Sequence, residues 1–213
     1  MTLVPTPAPP TPFPPITPYP LQAGTRLHRI HASAFAPNAF NPGLGRPSRF
    51  APLRSAAGTV IPTAYFATTL DCAAHETVFH EVPHDAAVKT VPYDELRDRD
   101  HAELDVTSPL TLCPLFQPDL ARLGVARVEL IDTRPGAYAE TARWAATIHA
   151  ADPMVQGLVW TSRRCDPDLA LVLFGDRVAP GTLAVRGRAA LTASPALAAL
   201  RAIGARAGIT LVV

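Results

Sequence analysis

Leu158-Val-Trp160 and Leu169-Ala-Leu-Val-Leu-Phe174 are two short apolar runs on either side of a polar stretch, Thr161 to Asp168. Runs of this length bounded by turn residues read as strands, and the turn between them presents side chains at a sheet edge. Toward the C-terminus, Ser194-Pro195 reads as a cap followed by proline at the first helical position. That helix is expected to run to about Ala207, before Gly208, with Ile209–Val213 as a last, buried strand. Toward the N-terminus, Ala137–His149 carries Thr141, Trp144, Ala145 and Ile148 on one helical stripe. Asp119–Leu123 reads as a short helix closed by Gly124, and Val125–Ile131 as a strand. Thr68–Glu81 reads as a helix with Thr68 as cap, Asp71 as the capping-box acid and Pro83 as the stop. Thr59–Ala67 and Thr25–His31 read as strands, the second placing Arg29 on the same face as Leu27 and His31. Between them, Pro37–Pro52 is a loop built on Asn41-Pro42-Gly43 turn chemistry. The order mixes α and β without regular βαβ alternation or a repeat period. It predicts an α+β domain with split, mostly antiparallel sheets and peripheral helices.

Proline is the compositional outlier, with 24 among 213 residues, nine of them in the first twenty. Missing amide donors and a fixed φ favour an extended polyproline conformation there. Residues 1–23 are therefore read as a disordered or extended tail and 24–213 as a single catalytic domain. Removing residues 1–20 is expected to leave the chemistry unchanged. With 19 Lys+Arg against 18 Asp+Glu, there is no basic field for gripping a phosphate backbone directly. The longest apolar run falls far short of the roughly 20 residues that cross a bilayer. No basic start with an apolar stretch marks a secretory signal, so the chain reads as cytoplasmic. Cys72, Cys113 and Cys165 form no CxxC and read as free thiols.

No metal site is expected. His75 and His80 are five apart, so their rings diverge by about 140° around a helix and cannot clasp one ion. GxSxG, GxGxxG and P-loop signatures are missing as well. What remains is a set of polar residues at the ends of apolar elements: Arg29, Arg49, Tyr65, Glu76 and Ser162. Singly, each suits a solvated charge or a turn residue.

In order, however, the set resembles the RES domain family, named for an Arg, a Glu and a Ser. The resemblance spans roughly Gly24 to Arg177 and rests on five segments. They are Leu27-His-Arg29-Ile-His31, Ser48-Arg49-Phe50, Ala64-Tyr65-Phe66-Ala67, Glu76-Thr-Val-Phe-His80, and Gly157-Leu-Val-Trp-Thr-Ser162-Arg163 leading to Leu171–Arg177. The family's Gly-Gly-Arg-Trp-Asn appears here as Pro47-Ser-Arg-Phe-Ala51, keeping the cation and an aromatic. The resemblance implies a fold like ADP-ribosyltransferase toxins, NAD as a consumed substrate with no cofactor, and an Xre-type antitoxin as partner, with a homo-oligomer inside that complex a further option. It makes Arg29, Glu76 and Ser162 the catalytic residues and Arg49 and Tyr65 substrate-binding ones. Nicotinamide leaves a cationic ring as a neutral molecule, so no general acid is needed and one carboxylate suffices. Glu76 is expected to stabilise oxocarbenium charge, Arg29 and Arg49 to hold phosphate or ribose, Tyr65 to stack on a ring, and Ser162 to bind ribose or hold Glu76. Transfer of ADP-ribose to a protein, or binding without turnover, are the alternatives to hydrolysis or phosphorolysis.

Overall fold

Along Leu169–Phe174 the side chains divide by parity: Ala170, Val172 and Phe174 enter one hydrophobic core, Leu171 and Leu173 a second. Successive strand residues point to opposite faces, so this strand lies at the centre of a sheet covered on both sides. The computed structural model describes residues 4–83 and 85–212. Its elements are β1 (Tyr19–Leu21), β2 (Arg26–Ala32), β3 (Leu53–Arg54), β4 (Val60–Ile61), β5 (Thr63–Ala67), α1 (Leu70–His75), β6 (Lys89–Pro92), β7 (Arg99–Val106), β8 (Leu110–Pro114), α2 (Gln117–Leu123), α3 (Arg127–Leu130), α4 (Tyr138–Ala151), β9 (Gly157–Thr161), β10 (Leu169–Phe174), β11 (Leu183–Ala190), α5 (Ala196–Arg206) and β12 (Ile209–Val212).

Eight strands form one sheet in the order β1-β8-β9-β10-β5-β2-β7-β11. Every neighbouring pair is antiparallel except β8 and β9. The mixed α+β class expected from the sequence is what the chain adopts. Between β5 and β2 the register is a single residue pair, His28 opposite Ala67, so the sheet is nearly parted at its middle. Strands β9 and β10 approach so closely that a Cβ on Gly157 would sit 2.3 Å from the Val172 carbonyl. Only glycine fits there. Among the described residues no helix is long and apolar enough to cross a membrane.

Several sequence expectations give way to tertiary structure. Val125–Ile131 is not a strand: residues 127–130 are the helix α3, because the Glu129 carboxylate accepts from the Ala126 amide at 2.7 Å and closes a helical turn. The helix expected over 68–81 stops at His75, and Thr69 rather than Thr68 caps it. Beyond it, the Phe79 amide reaches back to the Ala74 carbonyl, and the Arg164 guanidinium takes the Phe79 and Val82 carbonyls. That guanidinium holds 76–82 as irregular turns. Pro62 divides the strand expected over 59–67 into β4 and β5, which join different sheets. The last strand pairs in parallel with β6 outside the main sheet, and only its Ile209 is buried; Val213 lies outside the described residues.

The N-terminal segment departs most. Extended it is, but it lies against the body: the Trp144 indole N–H donates to the Pro7 carbonyl at 2.7 Å, and the Thr6 hydroxyl to the Glu129 carbonyl at 2.6 Å. The Phe13 ring meets Trp144 edge-on at 6.4 Å, and Phe13 and Ile16 pack on the larger core. The sheet itself begins before residue 24, since Tyr19–Leu21 pair with Leu110–Leu112.

Candidate functional site

Strand β5 faces Tyr65 toward the larger core, and β9, one strand beyond β10, ends where Ser162 begins the turn to Asp168. Helix α1 crosses above them, fixed at its start by Thr69. That hydroxyl accepts from the Cys72 amide at 3.0 Å and donates to the Asp168 carboxylate at 2.6 Å, tying the helix to the far end of the Ser162 turn. Thr69→Ala removes a cap and this tether together. It should cost about 1–2 kcal/mol by chemical denaturation, with m unchanged.

Glu76 is the residue that closes α1. A carboxylate at this end faces the helix carbonyls, an unfavourable place that needs compensation. Two groups supply it. The Ser162 hydroxyl donates to Glu76 Oε1 at 2.7 Å, and Arg49 Nη1 stands 3.7 Å from Oε2. Ser162 is itself fully buried; its amide donates to the Asp168 carbonyl, and its oxygen accepts from the Arg164 amide at 3.2 Å. The serine proton is thereby aimed at the carboxylate.

Arg49 is 5% exposed and stands on a loop fastened from three sides. Tyr65 OH accepts from the Phe50 amide at 3.1 Å and bonds the Ser48 hydroxyl at 3.0 Å. Thr141 of α4 donates to the Arg49 carbonyl. Phe50, fully buried, meets Trp160 edge-on at 5.1 Å. Tyr65 therefore acts on the site by positioning the arginine loop. Its hydroxyl is committed there, and burial raises its pKa, so it stays protonated. The structure thus brings Arg49, Tyr65, Glu76 and Ser162 together.

Arg29 is elsewhere. It shares the parity of Leu27, which belongs to the smaller core, while Tyr65 borders the larger one. Its Nη1 donates to the Pro37 and Ala39 carbonyls at 2.6 and 2.7 Å, and its guanidinium lies 5.3 Å from the Phe66 ring centre. Burial without a carboxylate lowers its pKa to about 10, which leaves it charged at neutral pH. The sequence placed Arg29 on the Leu27 face; that same alternation turns it from Glu76 and makes it the anchor of the 33–45 loop.

Sequence reading did not single out Arg163 and Arg164. Both have a buried Nε without a partner, as do Nε and Nη2 of Arg49 and Nε1 of Trp160. Two further orphans, Asp132 Oδ1 and Thr133 Oγ1, adjoin Arg163, whose Nη1 contacts the Asp132 carbonyl at 3.4 Å. No composition or period signals such a cluster, because β9 and the segment after α3 meet only in the fold. Two surface pockets lie away from it, one along Arg201–Leu211 and one around Phe40 and Gly175.

Cys72 and Cys113 are buried free thiols with pKa values raised by burial, and Cys165 is half-buried. Among the described residues, His28, His101 and Glu103 approach as three potential metal ligands. Their facing ring nitrogens are 3.0 Å apart in planes only 4° from parallel, with ring centres at 5.2 Å. Parallel rings reach those values edge to edge, which is a direct N–H···N hydrogen bond, and Glu103 is engaged by Arg26 at 2.8 Å. His80 Nδ1 and the Glu81 carboxylate are 2.6 Å apart, and His84 lies outside the described residues.

The RES domain model matches residues 26–193. The chain belongs to the RES domain family. This RES domain also resembles a chain in the crystal structure of the M. tuberculosis MbcT–MbcA toxin–antitoxin complex. The TM-score is 0.60 at 19% identity, over 86% of this chain and 92% of that one. At that identity the likeness speaks to the fold. No curated protein matches the chain by sequence.

Proposed function

We propose that this RES domain is an NAD-consuming enzyme that cleaves the bond between nicotinamide and ribose, and that it acts as the toxin of a bacterial toxin–antitoxin pair. The observation that carries the chemistry is a buried guanidinium with free donors beside one held carboxylate: Arg49 with Nε and Nη2 unpaired, 3.7 Å from Glu76. Unpaired buried donors cost about 1–3 kcal/mol each, and a ligand rich in oxygen acceptors relieves that cost. Phosphate and ribose oxygens are such acceptors.

In the proposed reaction the C1′–N bond breaks and its electron pair neutralises the pyridinium nitrogen, so nicotinamide leaves without a proton. Positive charge develops on the ribose ring oxygen and C1′, and Glu76 stabilises it electrostatically. Ser162 fixes the carboxylate through Oε1, leaving Oε2 to the substrate. An acceptor oxygen then bonds to C1′ and releases its proton. Water gives hydrolysis, phosphate gives phosphorolysis, and a protein side chain gives ADP-ribosylation. With this reading goes an ADP-ribosyltransferase-like description of the fold, which the near-parting of the sheet between β5 and β2 favours. A cognate antitoxin, Xre-type by family resemblance, is the proposed partner, and the MbcT–MbcA likeness supports it.

The test is nicotinamide release by the purified full chain incubated with NAD, with and without phosphate and acceptor proteins. Free ADP-ribose, its 1″-phosphate, or labelled protein identifies the acceptor. NAD binding without any nicotinamide release would instead mean a sensor of the same fold.

A further inference from the structure

His28 and His101 meet on one face of the paired strands β2 and β7. His28 stands directly opposite Glu103 in the register, and His101 is two residues from Glu103 on β7, so the three side chains share that face at adjacent positions. One nitrogen of each histidine and one Glu103 carboxylate oxygen all lie within 4.8 Å of one another. All three residues are half-buried, which leaves the cluster within reach of a small solute. Among the described residues neither ring has a hydrogen-bond partner besides the other, His28 Nδ1 facing His101 Nε2 at 3.0 Å. Two N–H groups cannot face each other at that distance, so at least one lone pair is directed into the gap.

Two imidazoles and a carboxylate converging from neighbouring strands are the donor set of a borderline divalent cation, whereas calcium and magnesium take oxygen ligands. The geometry points to a zinc-type cation site formed by His28 Nδ1, His101 Nε2 and the Glu103 carboxylate, with the fourth position left to water. Tetrahedral zinc holds its nitrogen ligands about 3.3 Å apart. The rings therefore part by about 0.3 Å and turn until both lone pairs meet at the ion rather than along the line between them. The ring that donated its N–H carries that proton on its other nitrogen instead, a change of tautomer that releases none. Glu103 leaves Arg26, a pair at 2.8 Å that is largely open to solvent and so weakly held, and Arg26 keeps Asp105. His28 is also the residue of β2 that pairs with Ala67 of β5. A cation there ties β7 to the single point at which the two halves of the sheet join. The site stands independently of Glu76 and of the NAD reaction.

The test is isothermal titration of the full chain, free of any histidine tag, with zinc chloride, alongside thermal melts. Wild type should bind one zinc with a Kd of about 10 μM or tighter. Zinc at about 100 times that Kd should raise the melting temperature by about 5–10 °C. His28→Gln, His101→Gln and Glu103→Gln should each weaken zinc about 10-fold or more and abolish most of that rise. Arg26→Gln gives the sharpest readout, because it works in the opposite direction: by freeing Glu103 it should tighten zinc about two- to fivefold. Arg26 is exposed, so this variant folds even if a histidine variant does not. Zinc that binds wild type and the histidine variants alike is adventitious and overturns the site, as does the lack of any binding to wild type. Unchanged affinity in both Glu103→Gln and Arg26→Gln removes the carboxylate and overturns the three-ligand site as well.

Discussion

Glu76→Gln lowers nicotinamide release from NAD by about 10³-fold or more, with the domain still folded. The argument is electrostatic. A unit charge about 4 Å from a developing cation contributes about 4 kcal/mol at an effective dielectric near 20, which is roughly three decades in rate. Gln keeps the size of the side chain and an oxygen for the Ser162 hydroxyl, now 2.7 Å from Oε1, so the geometry of the turn survives. It removes the negative charge alone. The variant also leaves Arg49, buried at 5% exposure, without the carboxylate that stands 3.7 Å away. A lowered melting temperature is therefore expected in the unliganded protein. An anionic ligand should recover part of that loss by pairing with Arg49. Chromatographic assay of nicotinamide, with circular dichroism melts, reads both effects. Turnover within tenfold of wild type in a folded Glu76→Gln protein would remove Glu76 from the chemistry.

The elements legible in the sequence are those whose burial follows their own period. Strand β10 is apolar throughout and β9 up to its last residue, Thr161, while α4 carries its stripe at Thr141, Trp144, Ala145 and Ile148, and Gly124 closes α2 with φ of 70°. Strand β7 carries a period of its own that the sequence reading passes over: His101-Ala-Glu-Leu-Asp-Val106 alternates polar and apolar residues, and burial along Arg99–Val106 alternates with it. One of its inward positions is Asp100, which is buried because the Arg188 guanidinium of β11 pairs with it, and the strand exists only once β2 and β11 flank it. The same holds within the site. Ser162 follows β9, which the sequence places nearly correctly, but Glu76 is expected inside a helix that in fact stops one residue before it, and Arg49 lies in a loop, so their convergence shows only in the fold. Arg29 shows the limit of reading order alone: the alternation of Thr25–His31 gives its strand and its face, but only the packing of two separate cores shows that this face looks away from Glu76. Arg163, Asp132 and Thr133 carry no pattern at all, since what marks them is hydrogen-bonding capacity left unspent after folding.

Removing residues 2–18 should destabilise the protein by about 3 kcal/mol and slow the chemistry as well. This reverses the expectation that the tail is dispensable. Phe13 and Ile16 are partly buried on the larger core, and burial of side chains of this size contributes about 1.5–3 kcal/mol each when complete. The prolines make the docking less costly, because a chain already confined near the extended conformation loses less entropy on being held. Without the segment, Trp144 goes from 1% exposed to open on one face, and its indole N–H loses the Pro7 carbonyl. For a domain of this size that loss corresponds to a fall of about 6–12 °C in melting temperature. The effect on rate follows from α4. Trp144 lies one helical turn from Thr141, whose hydroxyl holds the Arg49 carbonyl, so a helix loosened at Trp144 lets the arginine loop drift. Binding of NAD should weaken more than the rate at saturation falls, because Arg49 is assigned to holding the substrate while Glu76 remains fixed by Ser162. Calorimetry and steady-state kinetics on the truncated chain read the two effects separately. An unchanged melting temperature would mean that the strap contributes nothing to the fold, and an unchanged KM beside a lowered melting temperature would confine it to stability.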